Sequence, residues 1–331
     1  MTLAQRWLKG AYHDSSWLMP LRPLGALYQR MMARREAAYQ SGKKTTWRAP
    51  VPVIVVGNIT LGGTGKSPLV AWLGRWLVTQ GWSPGVVTRG YGGKAEHYPL
   101  HVTASTEPSQ SGDEPVMLAQ QTGLPVVADP KRSRGAQALI DAGCNIILSD
   151  DGLQHLALER DIELVVIDGA RGLGNQRCLP AGPLRESSRR LESVDAVIVN
   201  GEPRQSLPVS STPMQLMPVC WRRLSNSERL PLTPLPFSLP AFCVAGIGHP
   251  ERFFTTLRAL GVEGEMRPLA DHQHFNADIF AAAQQRPVVM TAKDAVKCME
   301  VAPPNSWVLE VEAVLPLEFE HWLTAKLSAL S

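Results

Sequence analysis

The feature that most limits what this chain can become is the run Val53-Ile54-Val55-Val56-Gly57-Asn58-Ile59-Thr60-Leu61-Gly62-Gly63-Thr64-Gly65-Lys66-Ser67. It sets an apolar strand, a glycine-rich turn and a helix start in the order that a phosphate-binding P-loop requires. Glycines let such a turn approach phosphate oxygens, and the N–H groups of the helix N-terminus face the anion. The candidate nucleotide contacts are Thr60, Leu61, Gly62, Gly63, Thr64, Gly65, Lys66 and Ser67. Lys66 is expected on the β- and γ-phosphates and the Ser67 hydroxyl on Mg²⁺, so ATP or another nucleoside triphosphate with Mg²⁺ is the expected ligand. Thr60 stands where the pattern G-x-x-x-x-G-K-[ST] has its first glycine, which should alter the start of the loop without removing the cradle.

A P-loop needs a parallel sheet, and the following sequence supplies one. From Val51 short β-branched runs alternate with Gly-rich turns and amphipathic stretches, the pattern of a mostly parallel sheet with helices on both faces. Strands are expected at Val51–Val56, Gly85–Thr88, Pro125–Ala128, Asn145–Leu148, Glu163–Ile167 and Ala196–Val199. Residues 50–205 therefore read as a P-loop α/β domain. Residues 206–240 are irregular and rich in Pro and Ser, with only Met214–Arg222 strand-like, and read as a linker. Beyond them, strands at Ala241–Ala245, Val288–Thr291 and Trp307–Glu312 and helices at Pro250–Leu260 and Leu317–Leu330 give 241–331 as a smaller α/β domain. A length of 331 residues suits two such units.

Residues 1–49 read differently. They are helical and amphipathic, with Leu24, Leu27, Tyr28, Met31 and Met32 near helical spacing, and Pro20 and Pro23 divide them into two helices. They hold nine basic residues against Asp14 and Glu36, a net of +7, so a total of +3 leaves the remainder of the chain at −4. An acidic partner should meet this segment first. No apolar run approaches the roughly 20 residues that span a bilayer, and no signal-peptide pattern opens the chain. Five scattered cysteines without a C-x-x-C pair indicate neither a disulfide framework nor zinc, and a reducing cytosol is the expected setting.

Other motifs are weaker singly. Asn145-Ile146-Ile147-Leu148-Ser149-Asp150-Asp151-Gly152 is an apolar strand ending in two acids, where sites in parallel sheets lie. Asp150 or Asp151 suits the metal shell, and a solvated turn is the plain alternative. Arg89 in the Gly-rich turn Thr88-Arg89-Gly90-Tyr91-Gly92-Gly93 suits phosphate, and Asp113 in Ser111-Gly112-Asp113-Glu114-Pro115 suits proton acceptance from a hydroxyl. Ordinary turn and helix-start preferences explain both equally well. Lys131-Arg132-Ser133-Arg134 and the Leu179–Glu186 loop with Arg185 offer cations, for which a solvated basic face is the default. His155 caps or packs. His272 and His274 flank Gln273 beside Asp271; an acid–base or orienting role and plain surface histidines stand level on spacing.

Taken in order, Gly57-Asn58 before Gly-Gly-Thr-Gly-Lys-Ser, then Arg-Gly-Tyr-Gly, Gly-Asp-Glu-Pro, Asp-Asp-Gly-Leu-Gln-His, Leu-Pro-Ala-Gly-Pro-Leu-Arg-Glu, Asp-His-x-x-Phe and Thr-Ala-Lys-Asp-Ala-Val-Lys resemble the tetraacyldisaccharide 4′-kinase family of lipid A biosynthesis. The likeness runs nearly end to end; the family pattern has a glutamate where Ala292 stands. The resemblance implies transfer of the ATP γ-phosphoryl to the 4′-hydroxyl of a tetraacylated glucosamine disaccharide 1-phosphate, giving lipid IVA. It implies a peripheral enzyme on the cytoplasmic face of a bacterial inner membrane. It makes Asp113 the catalytic base assisted by His272, puts Lys66, Ser67, Asp150 and Asp151 at nucleotide and metal positions, and offers Arg89, Glu114, Arg132 and Arg185 as phosphate or substrate contacts.

An acylated sugar stays in its bilayer, since each buried methylene contributes about 0.8 kcal/mol, so the enzyme must go to the surface. Basic residues add about 1 kcal/mol each near anionic lipid, and Trp7, Trp17, Leu18 and Met19 are the expected interfacial side chains. Packing of this segment on the enzyme's own core is the alternative, and one helix can do both. Two competing functions remain. A regulatory GTPase should carry Asn-Lys-x-Asp, yet none of the seven asparagines precedes a lysine. A nucleic-acid ATPase would use the basic N-terminus on phosphates, but the tryptophans and methionines there suit lipid better. A monomer with no nucleic-acid partner is expected.

Overall fold

Short, fully apolar strands that alternate with helices can bury both faces only inside a layered sheet, and that is how the chain folds. A computed structural model describes residues 3–270, 273 and 275–330. In chain order the first half comprises α1 (Leu3–Tyr12), a 3₁₀ turn (Ser16–Leu21), α2 (Arg22–Gln40), β1 (Val53–Gly57), α3 (Lys66–Thr79), β2 (Pro84–Thr88), β3 (Leu100–Val102), α4 (Pro108–Ser111), α5 (Asp113–Thr122), β4 (Val126–Ala128), α6 (Arg132–Asp141), β5 (Ile146–Asp150), β6 (Ile162–Asp168) and β7 (Ala196–Asn200). The second half adds β8 (Thr212–Arg223), β9 (Arg229–Leu230), β10 (Ala241–Ala245), α7 (Pro250–Ala259), β11 (Gly264–Pro268), α8 (Ala277–Ala281), β12 (Val288–Thr291), α9 (Ala292–Cys298), β13 (Ser306–Val314) and α10 (Leu317–Ser328).

The strands form one sheet in the order β11-β10-β12-β13-β8-β7-β6-β1-β5-β2-β4-β3, with β9 on β8. Pairings are parallel except β3 with β4, β8 with β13 and β9 with β8. Period-2 alternation assigns the faces. In β1, Ile54 and Val56 join a core with α3, α5 and α10, while Val53 and Val55 join one with α6 and the loops that follow β5 and β6. In β10, Ala241, Cys243 and Ala245 pack toward α7, while Phe242 and Val244 pack toward α8 and α9.

The stretch 206–240, expected as a linker, carries the sheet across. Thr212 to Met214 of β8 pair with β7, and the remainder pairs antiparallel with β13 through a register shift at Glu310/Val311. Alternate exposure along β8, with Met217 and Val219 outward, hides it from a search for apolar runs. The final helix also crosses over. Phe319, Leu323 and Leu327 of α10 pack into the core of the first half, Trp72 meets Phe319 at 5.9 Å, and Trp76 Nε1 donates to Glu320 at 3.2 Å.

The N-terminal segment both packs and projects. Leu18, expected at a lipid interface, is fully buried, and Trp7 Nε1 donates to the Pro180 carbonyl at 3.0 Å. Gly25 lets α2 lie against the loop before β7: a Cβ there would stand 2.9 Å from the Cys178 carbonyl. Leu24, Leu27 and Met31 stay more than half exposed beside Trp17 and Met19. No helix among the described residues is long and apolar enough to cross a membrane.

The second half rests on an aromatic cluster in which Trp221 of β8 meets Phe237 edge-on at 5.0 Å and Phe237 meets Trp307 at 5.7 Å. Trp221→Ala is expected to cost about 3–5 kcal/mol, read as a lower midpoint in urea at unchanged slope; a loss below 1 kcal/mol would contradict this packing.

Candidate functional site

The P-loop spans the carboxyl end of β1 and the start of α3, and its backbone explains its sequence. Gly62 and Gly65 have φ of +96° and +97°, conformations that L side chains rarely adopt. A Cβ on Gly65 would also stand 2.4 Å from Asn200 Nδ2. Thr60 is not such a position. It is buried and pairs in an antiparallel bridge with Leu184, with Leu61 N–H donating to the Pro183 carbonyl and Arg185 N–H to that of Ile59. The start of the loop is thus an extended strand segment where a β-branched residue fits and glycine has no advantage.

Lys66 and Ser67 open α3, and Lys66 Nζ stands 3.3 Å from Asp151 Oδ1. Arg185 Nη1 holds both Asp151 oxygens at 3.1 Å. Burial alone would raise the Asp151 carboxyl, but the charges of Lys66 and Arg185 outweigh it and hold the pKa at about 2. Its neighbour differs. Asp150 is 1% exposed, and neither carboxylate oxygen has a hydrogen-bond partner among the described residues. Burial, reinforced by the negative charge of Glu114, raises Asp150 to about 7. The two aspartates at the end of β5 are thus a paired anion and an unpartnered acid.

Arg132 corrects the expectation of a solvated basic run. It is 4% exposed, and its Nη2 donates to the carbonyls of Asp150 and Asp151 at 2.7 and 2.8 Å, which fixes the turn after β5. Arg134 instead pairs with buried Asp129 at 2.6 Å. His155 packs behind this turn, with burial and then the charge of Arg132 holding its pKa at about 4, so it is neutral. Gln154 links the motifs, its Nε2 donating to the Asn58 carbonyl at 3.0 Å and to Glu186 at 2.6 Å.

Asp113 and Glu114 open α5, where the helix N-terminus favours negative charge. They face α9. Lys293 Nζ binds Glu114 at 3.0 Å, and Lys297 Nζ lies 3.9 Å from Asp113 Oδ2 while bonding Asp294 at 2.9 Å. Burial favours neutral Glu114, but the charges of Lys293 and then Lys66 prevail and lower its pKa. Thr291 caps α9 by accepting from Asp294 N–H, so one capped helix presents both lysines. Phe275 lies beneath Lys297, with Nζ 5.8 Å from the ring centroid. His272, Asp271 and His274 lie outside the described residues.

One cavity of about 690 Å³ is lined by Lys66, Ser67, Arg89, Asp113, Glu114, Arg132, Asp151 and Arg185, together with Lys293 of α9. That volume suits a small-molecule site. Arg89 is exposed at its rim and Asp150 lies beneath its floor. Asp168, Asn200 and Arg252 also line it and were not singled out from sequence. The first two end β6 and β7, so the rule applied to Asp150 and Asp151 reaches them once those strands are drawn one residue longer. Arg252, on α7, leaves no such mark.

Comparisons with known proteins converge on one family. Residues 17–328 match the family model described as tetraacyldisaccharide-1-P 4′-kinase (LpxK). Proteins named tetraacyldisaccharide 4′-kinase from Pseudomonas entomophila and Azotobacter vinelandii are 46% and 45% identical over 331 residues, covering all of this chain and 98% and 99% of theirs. The crystal structure of LpxK from Aquifex aeolicus in complex with ATP superposes with a TM-score of 0.78 at 23% identity, covering 94% of this chain and 99% of that one, so the folds agree. With this likeness running the length of the sequence, the chain belongs to the tetraacyldisaccharide 4′-kinase family.

Proposed function

We infer that this chain transfers the γ-phosphoryl group of ATP to the 4′-hydroxyl of a tetraacylated glucosamine disaccharide 1-phosphate. The observation that carries the reading, given the family, is that one cavity holds both the P-loop lysine and the acid pair that opens α5. A donor site and an acceptor site have to share such a space for in-line transfer.

Lys66 and the loop N–H groups bind the β- and γ-phosphates. Asp113 takes the proton from the 4′-hydroxyl as its oxygen attacks the γ-phosphorus and the bond to the bridging oxygen of the leaving ADP breaks. Lys297 Nζ lies 3.9 Å from Asp113, and Lys293 bonds Glu114, where its charge and that of Lys66 outweigh burial and keep that carboxylate ionised. Arg89 and Arg185 offer charge to phosphate oxygens from the rim and floor. His272, in the Asp-His-x-x-Phe motif, is the residue assigned to assist Asp113.

The residues present fit Mg²⁺. Asp150 has two buried oxygens without partners, the Ser67 hydroxyl lies at the start of α3, and Asp151 keeps its charge under Lys66 and Arg185. Magnesium takes one or two carboxylates plus phosphate oxygens and waters, so a complete protein cage is unnecessary. Asp150 and Ser67, with Asp151 adjoining, would hold it. Held by Asp150 and Ser67, such an ion would supply charge neutralisation for the transferring phosphoryl group.

The exposed Trp17, Met19, Leu24, Leu27 and Met31, interleaved with basic residues, supply a face for peripheral binding at the cytoplasmic side of the inner membrane.

Asp113→Ala is expected to lower phosphorylation of the disaccharide by about 10²–10⁴-fold while ATP binding measured by calorimetry persists. Near-normal turnover would overturn the assignment. Asp150 supports a second expectation. A carboxyl raised to about 7 in the fold binds a proton there that the unfolded chain releases near 4. Its ionisation therefore penalises folding progressively between pH 4 and 7, fully above 7 and not at all below 4. In EDTA, Asp150→Asn should melt higher than the parent at pH 8, with the gain shrinking as pH falls toward 4. A gain independent of pH would refute this account of the Asp150 environment.

A further inference from the structure

We propose that Tyr12, Asn58, Arg171 and Asn200 act as positioning residues that clamp four consecutive P-loop carbonyls, and that Tyr12 thereby makes the N-terminal helix part of the triphosphate site. The proposal rests on the P-loop being the nucleotide site, and its binding test does not depend on the acceptor.

The four contacts run in register. Tyr12 Oη donates to the Leu61 carbonyl at 2.6 Å, Asn58 Nδ2 reaches that of Gly62 at 3.4 Å, Arg171 Nη2 donates to that of Gly63, and Asn200 Nδ2 to that of Thr64 at 3.0 Å. In a planar trans peptide the C=O of one residue points opposite to the N–H of the next. Fixing carbonyls 61 to 64 therefore fixes the N–H groups of Gly62, Gly63, Thr64 and Gly65. Those four N–H groups donate to no backbone acceptor among the described residues, and they are the groups that a triphosphate takes in a P-loop.

Tyr12 acts twice. Its ring supports Arg171, whose guanidinium carbon lies 5.1 Å from the centroid, and Asp168 Oδ2 lies 3.5 Å from the same Nη2 that reaches Gly63. Burial, the largest influence on the Tyr12 phenol, raises its pKa, so it remains a proton donor at neutral pH. A loop rich in glycine has many conformations of similar energy. Clamps made before the ligand arrives lessen the ordering that binding would otherwise demand.

The experiment compares Tyr12→Phe, which removes only the hydroxyl, with Tyr12→Leu, which also removes the support under Arg171, in the full chain. Binding of a non-hydrolysable ATP analogue with Mg²⁺ is followed by calorimetry, and KM is measured separately for ATP and for the disaccharide in vesicles. Tyr12→Phe should weaken analogue binding about five-fold, the effect of one lost hydrogen bond, and Tyr12→Leu should weaken it further through the lost cation–π contact. KM for ATP should rise alongside while KM for the disaccharide stays unchanged, since the lost contact holds the donor site alone. A tether that only attaches the N-terminal helices would move the disaccharide KM and leave analogue binding unchanged, and that result overturns the proposal. If Tyr12→Leu fails to fold, Tyr12→Phe decides alone: parental affinity for the analogue refutes the clamp. Loss of disaccharide phosphorylation in the parent would refute the acceptor reading and leave the binding result intact.

Discussion

The ion pair between Lys66 and Asp151 is the contact on which the site's arrangement depends. Two charges 3.3 Å apart at the base of a cleft need their remaining valences met, and the surrounding motifs meet them. Arg185 takes both oxygens of Asp151, Arg132 takes the two backbone carbonyls of the Asp-Asp turn, and Gln154 ties that turn to the P-loop through Asn58. The basic loop that ends in Glu186 also lines this end of the cleft through Leu179 and Arg185. It is the wall that keeps the lysine and its carboxylate in place, and its position is set in turn by Thr60 and Leu61 pairing with Leu184 and Pro183. Asp150, the neighbour of Asp151 and without a hydrogen-bond partner among the described residues, is raised instead by burial and then by the charge of Glu114.

The second constraint is how the two halves meet. A hinge of irregular chain would leave α9 free to take many positions relative to α5. A strand hydrogen-bonded to both β7 and β13 does not, and α10 packed back onto α3 closes the other side. Lys293 and Lys297 thus reach Glu114 and Asp113 from a fixed platform. This assigns a physical purpose to the Thr-Ala-Lys-Asp-Ala-Val-Lys motif, whose threonine caps the helix, whose aspartate bonds the Gly246 N–H at 3.0 Å, and whose lysines supply the charge.

What could be read from the sequence followed the range of the interactions. The strand expected at Val51–Val56 and found at Val53–Gly57, the glycine turn and the helix start are local, and period and composition place them within two residues. Arg132 was legible only as a cation, because its burial depends on carbonyls 18 and 19 residues away. Arg171 and Asn200 were missed for the same reason, their partners lying 108 and 136 residues away. Leu18 was misplaced because an amphipathic segment looks alike whether its apolar side meets lipid or protein. The strand β8 was half-seen, since alternating exposure and a proline at 213 and again at 218 make an uninterrupted twelve-residue strand an unlikely reading of that stretch.

The N-terminal segment has two faces with different surroundings. On the proposed reading its outer face, with Leu24, Leu27 and Met31 exposed, meets the lipid surface. Its inner face makes hydrogen bonds to Pro180, Leu61 and Arg185 through Trp7, Tyr12 and Tyr28. Three aromatic side chains, each with a polar tip, reach three backbone carbonyls, of which those of Leu61 and Arg185 belong to residues lining the cavity. Aromatic residues suit this task because a large apolar body packs at an interface while one polar atom fixes its direction. The segment's charge and hydrophobicity alone would serve for attachment to a surface, and attachment needs no such directed bonds. On that reading, the helices that would meet the lipid surface are also the ones that bond the P-loop at Leu61.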